Sequence, residues 1–106
     1  MSEIHRDHNG VTVIAGKPAG HIYTIAAGFT LMNLMFQRGP VKEVGVNGIT
    51  NEALIAILIH RIGVLNTQFP CEENIMALAS LTRAQQVLLD RTQSRMARGV
   101  EGKSEA

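Results

Sequence analysis

The hydrophobic period of the chain changes once, near Thr50, and this change limits the folds that the sequence can adopt. Before it, β-branched and aromatic residues form short runs interrupted by glycine and proline, a pattern typical of strands. After it, apolar residues recur every three or four positions, as they do on one face of a helix. We therefore predict an α+β protein in which a small antiparallel β-sheet is followed by a long antiparallel helical hairpin.

The first part of the chain contains several β-prone runs. Residues 1–10 are polar, and we expect them to be mobile. Strands are predicted at Val11–Ile14, at His21–Ala27 and at Phe29–Phe36. Both faces of the last run are apolar, so we expect it to be covered on both sides. After a short turn, Val41–Val46 is predicted to return as a further strand of a hairpin.

The second part predicts two helices joined by a short connection. Thr50 is a suitable N-cap, and the first helix is expected to end near Val64. The second opens at Pro70, where proline and acidic residues are favourable, and runs to about Ala97, with Gly99 as a stop. The residues predicted to be buried are Leu54, Ile55, Ile57, Leu58, Ile62 and Leu65 on the first helix, and Ile75, Leu78, Leu81, Val87, Leu88 and Met96 on the second.

The chain is apolar for its length, with 45% hydrophobic and 18% charged residues among 106. A domain of this size buries roughly 60–65% of its unfolded surface. We expect one compact domain overall, with a sheet region at 1–48, the hairpin at 49–98 and a polar tail at 99–106. The excess of apolar residues leads us to expect that another subunit covers part of the surface.

Charge and motifs exclude several classes of protein. A net charge of +1 provides no global field for polymeric nucleic acid or a membrane surface, and no apolar run reaches the length of a membrane span. The single cysteine, Cys71, fits a reducing cytosol. No catalytic triad, carboxylate pair, phosphate loop or CxxC motif supports an enzyme. His5 and His8 have metal-ligand spacing but no further ligands, so we predict neither a metal nor a cofactor.

Three arginines on the second helix are the strongest candidates for ligand binding. Arg91, Arg95 and Arg98 are spaced i, i+4 and i+7, and no acid lies three or four residues from Arg91 or Arg95. One interpretation is a phosphate grip, because arginine binds phosphate in a bidentate manner. The other is that basic residues near a helix C-terminus complement its dipole.

Two further candidates lie near helix starts. Asn74 is in the first turn of the second helix, roughly 25 Å along it from Arg91, so the two can share a ligand only between subunits. The alternative is that Asn74 fixes local hydrogen bonds. Asn47 and Gly48 lead into the helix that Thr50 caps, and this end is either an anion site or a plain turn and cap.

Three segments of the chain, Phe36–Leu54, Phe69–Asn74 and Asp90–Gly102, follow one another in a recurring pattern. Together they resemble the Thoeris anti-defence sponge family of phages, which is related to the anti-CBASS sponges through a shared helical hairpin. The resemblance implies a non-catalytic protein that sequesters cyclic nucleotide immune signals in the cytoplasm of the infected bacterial host. Family members bind glycocyclic ADP-ribose between subunits, and some bind cyclic dinucleotides or trinucleotides at separate sites. They form homodimers that can build into hexamers.

The resemblance also implies roles for particular residues. The ligand-gripping asparagine and two arginines of the family correspond to Asn74, Arg91 and Arg95. Val64 occupies a position where the family often has an aromatic residue that could stack on a base. Three aromatic residues elsewhere in this chain, Phe36, Phe69 and Tyr23, are candidates to replace it.

The sequence leaves two rival functions open beside the sponge. The first is a non-catalytic structural or protein-interaction module, in which the apolar helical face docks a partner and the arginines are solvated. The second is a small hydrolase that acts on cyclic nucleotides.

Overall fold

In a computed structural model of the protein, which describes residues 2–99, the chain forms two compact units that divide between Ile49 and Thr50. The first unit contains a four-stranded sheet, and the second contains two long helices that pack together. The predicted α+β class, with a small antiparallel sheet followed by a helical hairpin, is confirmed. Apart from Gly99, the predicted polar tail lies outside the described residues.

The sheet is an antiparallel meander in which each strand pairs with the next along the chain. The predictions for its second, third and fourth strands are confirmed to within a few residues. The strands are β1 (Ser2–Arg6), β2 (Thr12–Ala15), β3 (Ile22–Ala27) and β4 (Thr30–Met35).

Residues 1–10 were expected to be mobile and no strand was predicted there, but Ser2–Arg6 forms β1. Ser2 pairs with Ala15 and Arg6 with Thr12, so β1 is an edge strand of the sheet. All five of its residues are exposed. An edge strand with no buried face needs no apolar alternation, because backbone hydrogen bonds to its neighbour hold it in place. The apolar pattern from which the other strands were predicted is therefore absent from β1.

The prediction that β4 is covered on both faces was also wrong for the single chain. β4 forms the other edge of the sheet, and five of its six residues are exposed. Leu31 is 72% exposed and Met35 51%. The described chain thus leaves apolar side chains of this strand open to solvent.

The segment predicted as a further strand forms α1 (Val41–Val44), a single helical turn. Pro40 precedes the turn, where its missing N–H is not needed, and the N–H of Gly45 closes it on the carbonyl of Val41 at 2.8 Å. The Gln37 side chain donates to the carbonyl of Gly45 at 2.8 Å. These bonds, one of which joins residues eight positions apart, outweigh the strand propensity of the valines.

The hairpin consists of α2 (Asn51–Gln68) and α3 (Glu72–Ala97). The predicted N-cap is confirmed, since the Thr50 hydroxyl accepts a bond from the N–H of Ala53 at 3.1 Å. α2 continues four residues beyond the predicted end at Val64. Its polar last turn remains helical, with the Thr67 hydroxyl donating to the carbonyl of Gly63 at 3.1 Å. α3 ends as predicted before Gly99, whose φ is +73°.

The two helices meet along seams that repeat at alternating steps of about three and four residues, as in a coiled coil. Gln85 donates from α3 to the backbone carbonyl of Glu52 on α2 at 3.4 Å. Residues at this spacing that are buried or half-buried define the two seams: on α3 they are Asn74, Leu78, Leu81, Gln85, Leu88, Thr92 and Arg95, and on α2 they are Glu52, Ile55, Ile59, Ile62 and Asn66.

The predicted buried stripes were therefore correct only in part. Ile57 and Leu58 of α2 are exposed, and so are Ile75, Val87 and Met96 of α3. The prediction assumed that apolar residues mark the buried face. On this hairpin the seam includes polar residues and leaves several apolar residues outside.

Neither unit encloses a fully buried apolar core. Among residues 2–99 the buried side chains are Thr12 and Arg95, and no apolar side chain joins them. None of the described helices combines the length and apolar character needed to cross a bilayer.

Candidate ligand-binding site

The three arginines near the end of α3 have different surroundings. Arg91 is exposed and makes no hydrogen bond or ion pair within residues 2–99, whereas Arg95 is only 6% exposed. Arg98 caps the helix and is exposed. Arg95 and Arg98 are both engaged in interactions. The three arginines were predicted to share one face. In the structure Arg95 is buried, whereas Arg91 and Arg98, about one turn to either side of it, are exposed.

Asn74 lies at the opposite end of the same seam. Its side-chain amide is 3.5 Å from the carbonyl of Phe69, which is a long and weak hydrogen bond. The connection between the helices is instead secured by Asn66, whose Oδ1 accepts from the N–H of Cys71 at 3.0 Å. Asn74 therefore keeps most of its hydrogen-bonding capacity. It is separated from Arg91 by 17 positions of a continuous helix, or roughly 25 Å.

Val64 is 44% exposed and lies on the outer surface of α2, in the half of the helix that leads to the connection. A shallow groove of about 350 Å³ surrounds it. The groove is lined by His60, Arg61, Val64, Leu65 and Gln68. Sequence reasoning singled out Val64 but missed Arg61 and Gln68. Their spacing of three and four residues from Val64 could have revealed a shared helix face.

A second concavity, of about 210 Å³, lies within the sheet unit. Its walls combine apolar side chains with one arginine, one histidine and one asparagine. The lining residues are His21, Ile22, Met35, Phe36, Arg38 and Asn47. Two of the predicted ligand residues, Phe36 and Asn47, are thus brought together here. The ring of Phe36 also packs edge-to-face against Tyr23, with centroids 5.8 Å apart.

Asn47 is firmly positioned by the backbone around it. Its Oδ1 accepts from the N–H of Arg38 at 2.8 Å, and its Nδ2 donates to the carbonyl of Arg38 at 2.8 Å. The Asn47 N–H in turn donates to the side chain of Gln37 at 2.9 Å. This arrangement fixes Arg38 at the edge of the concavity while leaving the guanidinium exposed.

Gly48 allows the chain to pass close to β4. A Cβ atom on this residue would lie 2.5 Å from the carbonyl carbon of Phe36, a distance that real Cβ atoms do not tolerate. The N–H of Ile49 donates to the carbonyl of Met35 at 2.9 Å, and Gln37 donates back to Ile49 at 2.9 Å. Gly48 therefore permits a strand-like bridge between Phe36 and Ile49.

His21 has one atom that the described residues do not satisfy. Its Nδ1 is buried and has no hydrogen-bond partner. No group of three or more His, Cys, Asp or Glu side chains within residues 2–99 could hold a metal ion.

The predicted site residues thus fall into two separate sets. Phe36, Asn47 and Gly48 belong to the sheet unit. Val64, Asn74, Arg91 and Arg95 belong to the hairpin, where Val64 and Asn74 lie toward the connection and the arginines toward the far end of α3. A four-stranded antiparallel sheet followed by a helical hairpin defines an α+β protein with candidate ligand-binding residues on both units.

Comparison with known proteins places the chain in a family. The family described as "Acb2/Tad1, hairpin domain" matches residues 34–89, which span the end of β4, all of α2 and most of α3. A protein of Bacillus phage SBSphiJ7 named "Thoeris anti-defense 1" is 47% identical over 76 residues, or 71% of this chain. That region is 54% of the relative, so the chain spans about half of its length. The chain belongs to the Acb2/Tad1 hairpin-domain family.

Proposed function

We propose that the protein is a phage anti-defence sponge, which binds a cyclic nucleotide immune signal in the cytoplasm of the infected host and does not degrade it. The ligands proposed are glycocyclic ADP-ribose, cyclic dinucleotides and cyclic trinucleotides, and the pathway blocked is Thoeris or CBASS signalling. Family membership supports the class of function. The observation that carries the site is the placement of Arg91, exposed and without a partner in residues 2–99, about 25 Å from Asn74 on one helix.

The proposed site is formed between two subunits. Arg91 and Arg95 of one subunit grip the phosphates, and Asn74 and Val64 of the other contact the remainder of the ligand. A rigid helix cannot bring its own two ends together, so a shared ligand requires a second copy of α3. The absence of any buried apolar side chain in residues 2–99 supports a homodimer that can build into a hexamer, because association would cover exposed apolar surface.

The burial of Arg95 suits this role. A guanidinium that is already ordered by its surroundings loses less conformational entropy when a phosphate arrives. Exposed Arg91, one turn earlier, supplies the charge that first meets the ligand. A sponge acts by slow release, and preorganised charge-assisted bonds favour slow release.

The concavity of the sheet unit is proposed as a second kind of site, for cyclic dinucleotides or trinucleotides. Phe36 provides an apolar wall for a base, and Asn47 fixes the backbone of Arg38, whose side chain would meet a phosphate. Gly48 permits the close passage of the chain beside the Phe36 backbone. Calorimetry with Arg38→Ala tests this site. We expect the variant to lose cyclic trinucleotide binding while retaining glycocyclic ADP-ribose, and equal binding by the variant and the wild type would contradict it.

The main test is calorimetry with a panel that includes glycocyclic ADP-ribose and cyclic dinucleotides. We expect micromolar or tighter binding of at least one of them, and intact ligand should be recovered after heat denaturation. Binding of none would refute the sponge, and recovery of a degraded ligand would indicate a hydrolase. Arg91→Glu with Arg95→Glu should abolish binding, and Arg83→Glu, on an exposed position of α3 outside the site, is the matched control.

A mixing experiment tests whether the site is shared. Neither Arg91→Ala nor Asn74→Ala should bind on its own. In a two-fold dimer made from one copy of each, one of the two sites contains an unmodified Arg91 and an unmodified Asn74. Equal mixing, with subunit exchange, should therefore restore about a quarter of the wild-type capacity. No recovery in a mixture shown to form heterodimers would place the site within one chain.

The rival function, a structural or protein-interaction module, makes the opposite prediction. In that case the glutamate variants would retain every measurable property of the wild type apart from some solubility. Circular dichroism and sedimentation of the variants distinguish loss of ligand binding from loss of fold or assembly.

A further inference from the structure

The two edge strands of the sheet differ in how they are protected. An exposed edge strand presents backbone N–H and C=O groups that can pair with another chain, and proteins usually block it with charges or a bulge. β1 carries both devices, since Glu3 and Arg6 form an ion pair at 2.7 Å and the register shifts between Glu3 and His5. β4 carries neither. The chain has no charged residue from Ile22 to Phe36, and β4 pairs with β3 without a shift of register.

Part of the outer edge of β4 has free backbone groups. The N–H of Phe36 donates to the residue that precedes β3, at 2.8 Å, whereas the carbonyl of Met35 accepts from Ile49 on the outer side. Successive residues of a strand direct their backbone groups to opposite edges, so Leu31 and Asn33 direct theirs outward, as Met35 does. In the part of the chain that the structure describes, these outward groups of Leu31 and Asn33 meet no hydrogen-bond partner.

The free stretch is bounded at both ends, which restricts how a partner strand can pair with it. It begins after the turn at Gly28 and ends where Ile49 covers the edge. Met32 lies midway between the two residues with free groups. A second copy of β4, related by a two-fold axis beside Met32, would place Leu31 opposite Asn33 of the partner subunit. Each such pair exchanges two hydrogen bonds, so the free groups of both copies would be satisfied.

The side chains of β4 favour a second copy as the occupant of this edge. Met32 lies in one cross-strand row with Ile25 and Val13. Two-fold pairing brings the Met32 side chains of both copies together, so the two apolar rows become continuous on one face of the sheet. Because the edge carries no charge, identical copies meet there without like-charge repulsion, and a charged partner would gain no attraction.

We propose that β4 pairs with β4 of a second copy, antiparallel and in the register that sets Met32 opposite Met32, so that two four-stranded sheets become one continuous sheet. The contact uses the sheet unit alone. It rests on neither the proposed ligand nor the arginines of α3.

Disulfide trapping in the full chain tests the register. In a Cys71→Ser background, Met32→Cys places two thiols on a facing pair whose Cα atoms lie about 4.5 Å apart, within the range that a disulfide spans. Mild oxidation with diamide should convert most of this variant into a covalent dimer on a non-reducing denaturing gel. Thr30→Cys is the matched control, since Thr30 is exposed on the same face of β4. Its copies would lie roughly 14 Å apart, so this variant should stay monomeric on the gel.

Hydrogen exchange of the unmodified protein gives a second measurement, which decides the matter should Met32→Cys fail to fold. The Leu31 and Asn33 amides should exchange about tenfold or more slowly than unprotected amides, because each donates to the partner subunit. Fast exchange at both would overturn the inference. Slow exchange in a folded Met32→Cys variant that is not trapped would show that something else covers the edge, and would also overturn it.

The control and the ligand experiments separate the remaining outcomes. Equal trapping of Met32→Cys and Thr30→Cys would indicate random collision or another register, and either contradicts the proposal. Selective trapping of Met32→Cys in a protein that binds no cyclic nucleotide would leave the strand pairing standing and refute the sponge. Nucleotide binding without selective trapping would refute the strand pairing alone.

Discussion

The sheet unit and the helical hairpin have similar lengths, but different interactions order them. In the sheet unit, strands are joined through turns, and the segment from Phe36 to Ile49 is held by bonds from Gln37 and Asn47 to the backbone. In the hairpin, bonds are local and repetitive, and the helices meet along one seam. The stability of a unit that is held by a few particular contacts should fall sharply when one of those contacts is removed. In a unit held by many repeated bonds, a single substitution should change the stability less.

Glycine-to-alanine substitutions in the two units should show this difference most strongly. Gly48→Ala places a Cβ 2.5 Å from the Phe36 backbone, and relieving that overlap should cost about 1–3 kcal/mol of unfolding free energy. Gly63→Ala in α2 meets nothing within 4 Å and should instead stabilise the hairpin by about 0.5–1 kcal/mol. Urea denaturation followed by circular dichroism measures both. The same sign for the two variants would contradict the comparison.

Loss of the Asn47 side chain should have the next largest effect. Asn47→Ala removes two bonds to the backbone of Arg38, each worth about 0.5–1.5 kcal/mol, and should lower the unfolding free energy of the sheet unit by about 1–3 kcal/mol. Asn47→Asp keeps the acceptor for the Arg38 N–H but loses the donor to its carbonyl. The unfolding free energy of that variant should therefore lie between those of the wild type and Asn47→Ala. A loss below about 0.3 kcal/mol for both variants would show that other contacts hold the turn.

The cap of α2 should have a smaller effect. Thr50→Ala removes the acceptor for the N–H of Ala53 and should cost about 1 kcal/mol. Thr50→Ser keeps the hydroxyl, so its unfolding free energy should remain within a few tenths of a kcal/mol of the wild-type value in the same denaturation experiment. If Thr50→Ser lowers the unfolding free energy as much as Thr50→Ala does, the methyl group of Thr50 rather than its hydroxyl stabilises the start of the helix.

The smallest expected effect is a dependence of stability on pH from the edge strand β1. A hydrogen bond from Arg6 lowers the pKa of Glu3 from its usual value of 4.5. A lowered pKa means that the contribution is present above pH 4.5 and is lost as the pH falls through the folded-state value. Because both side chains are exposed, the change should be small. Glu3→Gln should flatten the acid side of the melting-temperature profile, and an unchanged profile would show that the pair contributes nothing.

Much of the fold could be predicted because its signals are local. The change of period near Thr50 marked the boundary, and the cap and the Gly99 stop each follow from the chemistry of one residue. β1 and α1 could not be predicted in this way. β1 has no buried face and hence no alternation, and α1 depends on a bond from Gln37, which is eight residues away in sequence from Gly45.

The sequence allowed us to predict which residues are candidates for the site, but not how those residues are arranged or how exposed each of them is. Arginine spacing identified Arg91 and Arg95 but gave no reason to expect that one would be exposed and the other buried. Arg95 continues the three- and four-residue spacing of the α3 seam beyond Leu88 and Thr92. Arg61 and Gln68 were missed because neither is unusual alone, and their relation to Val64 emerges only from the groove.

The length of α3 has a consequence for how much signal the protein can capture. Because 17 positions of one stiff helix separate Arg91 from Asn74, a lone protomer holds only half of the proposed site. When protomers are scarce and mostly unpaired, doubling their number raises the number of complete sites about fourfold, by mass action. Once all protomers are paired, the number of complete sites rises only in proportion to the number of protomers. The dose at which a phage gains protection would then depend on how tightly two copies associate as well as on how tightly they hold the ligand.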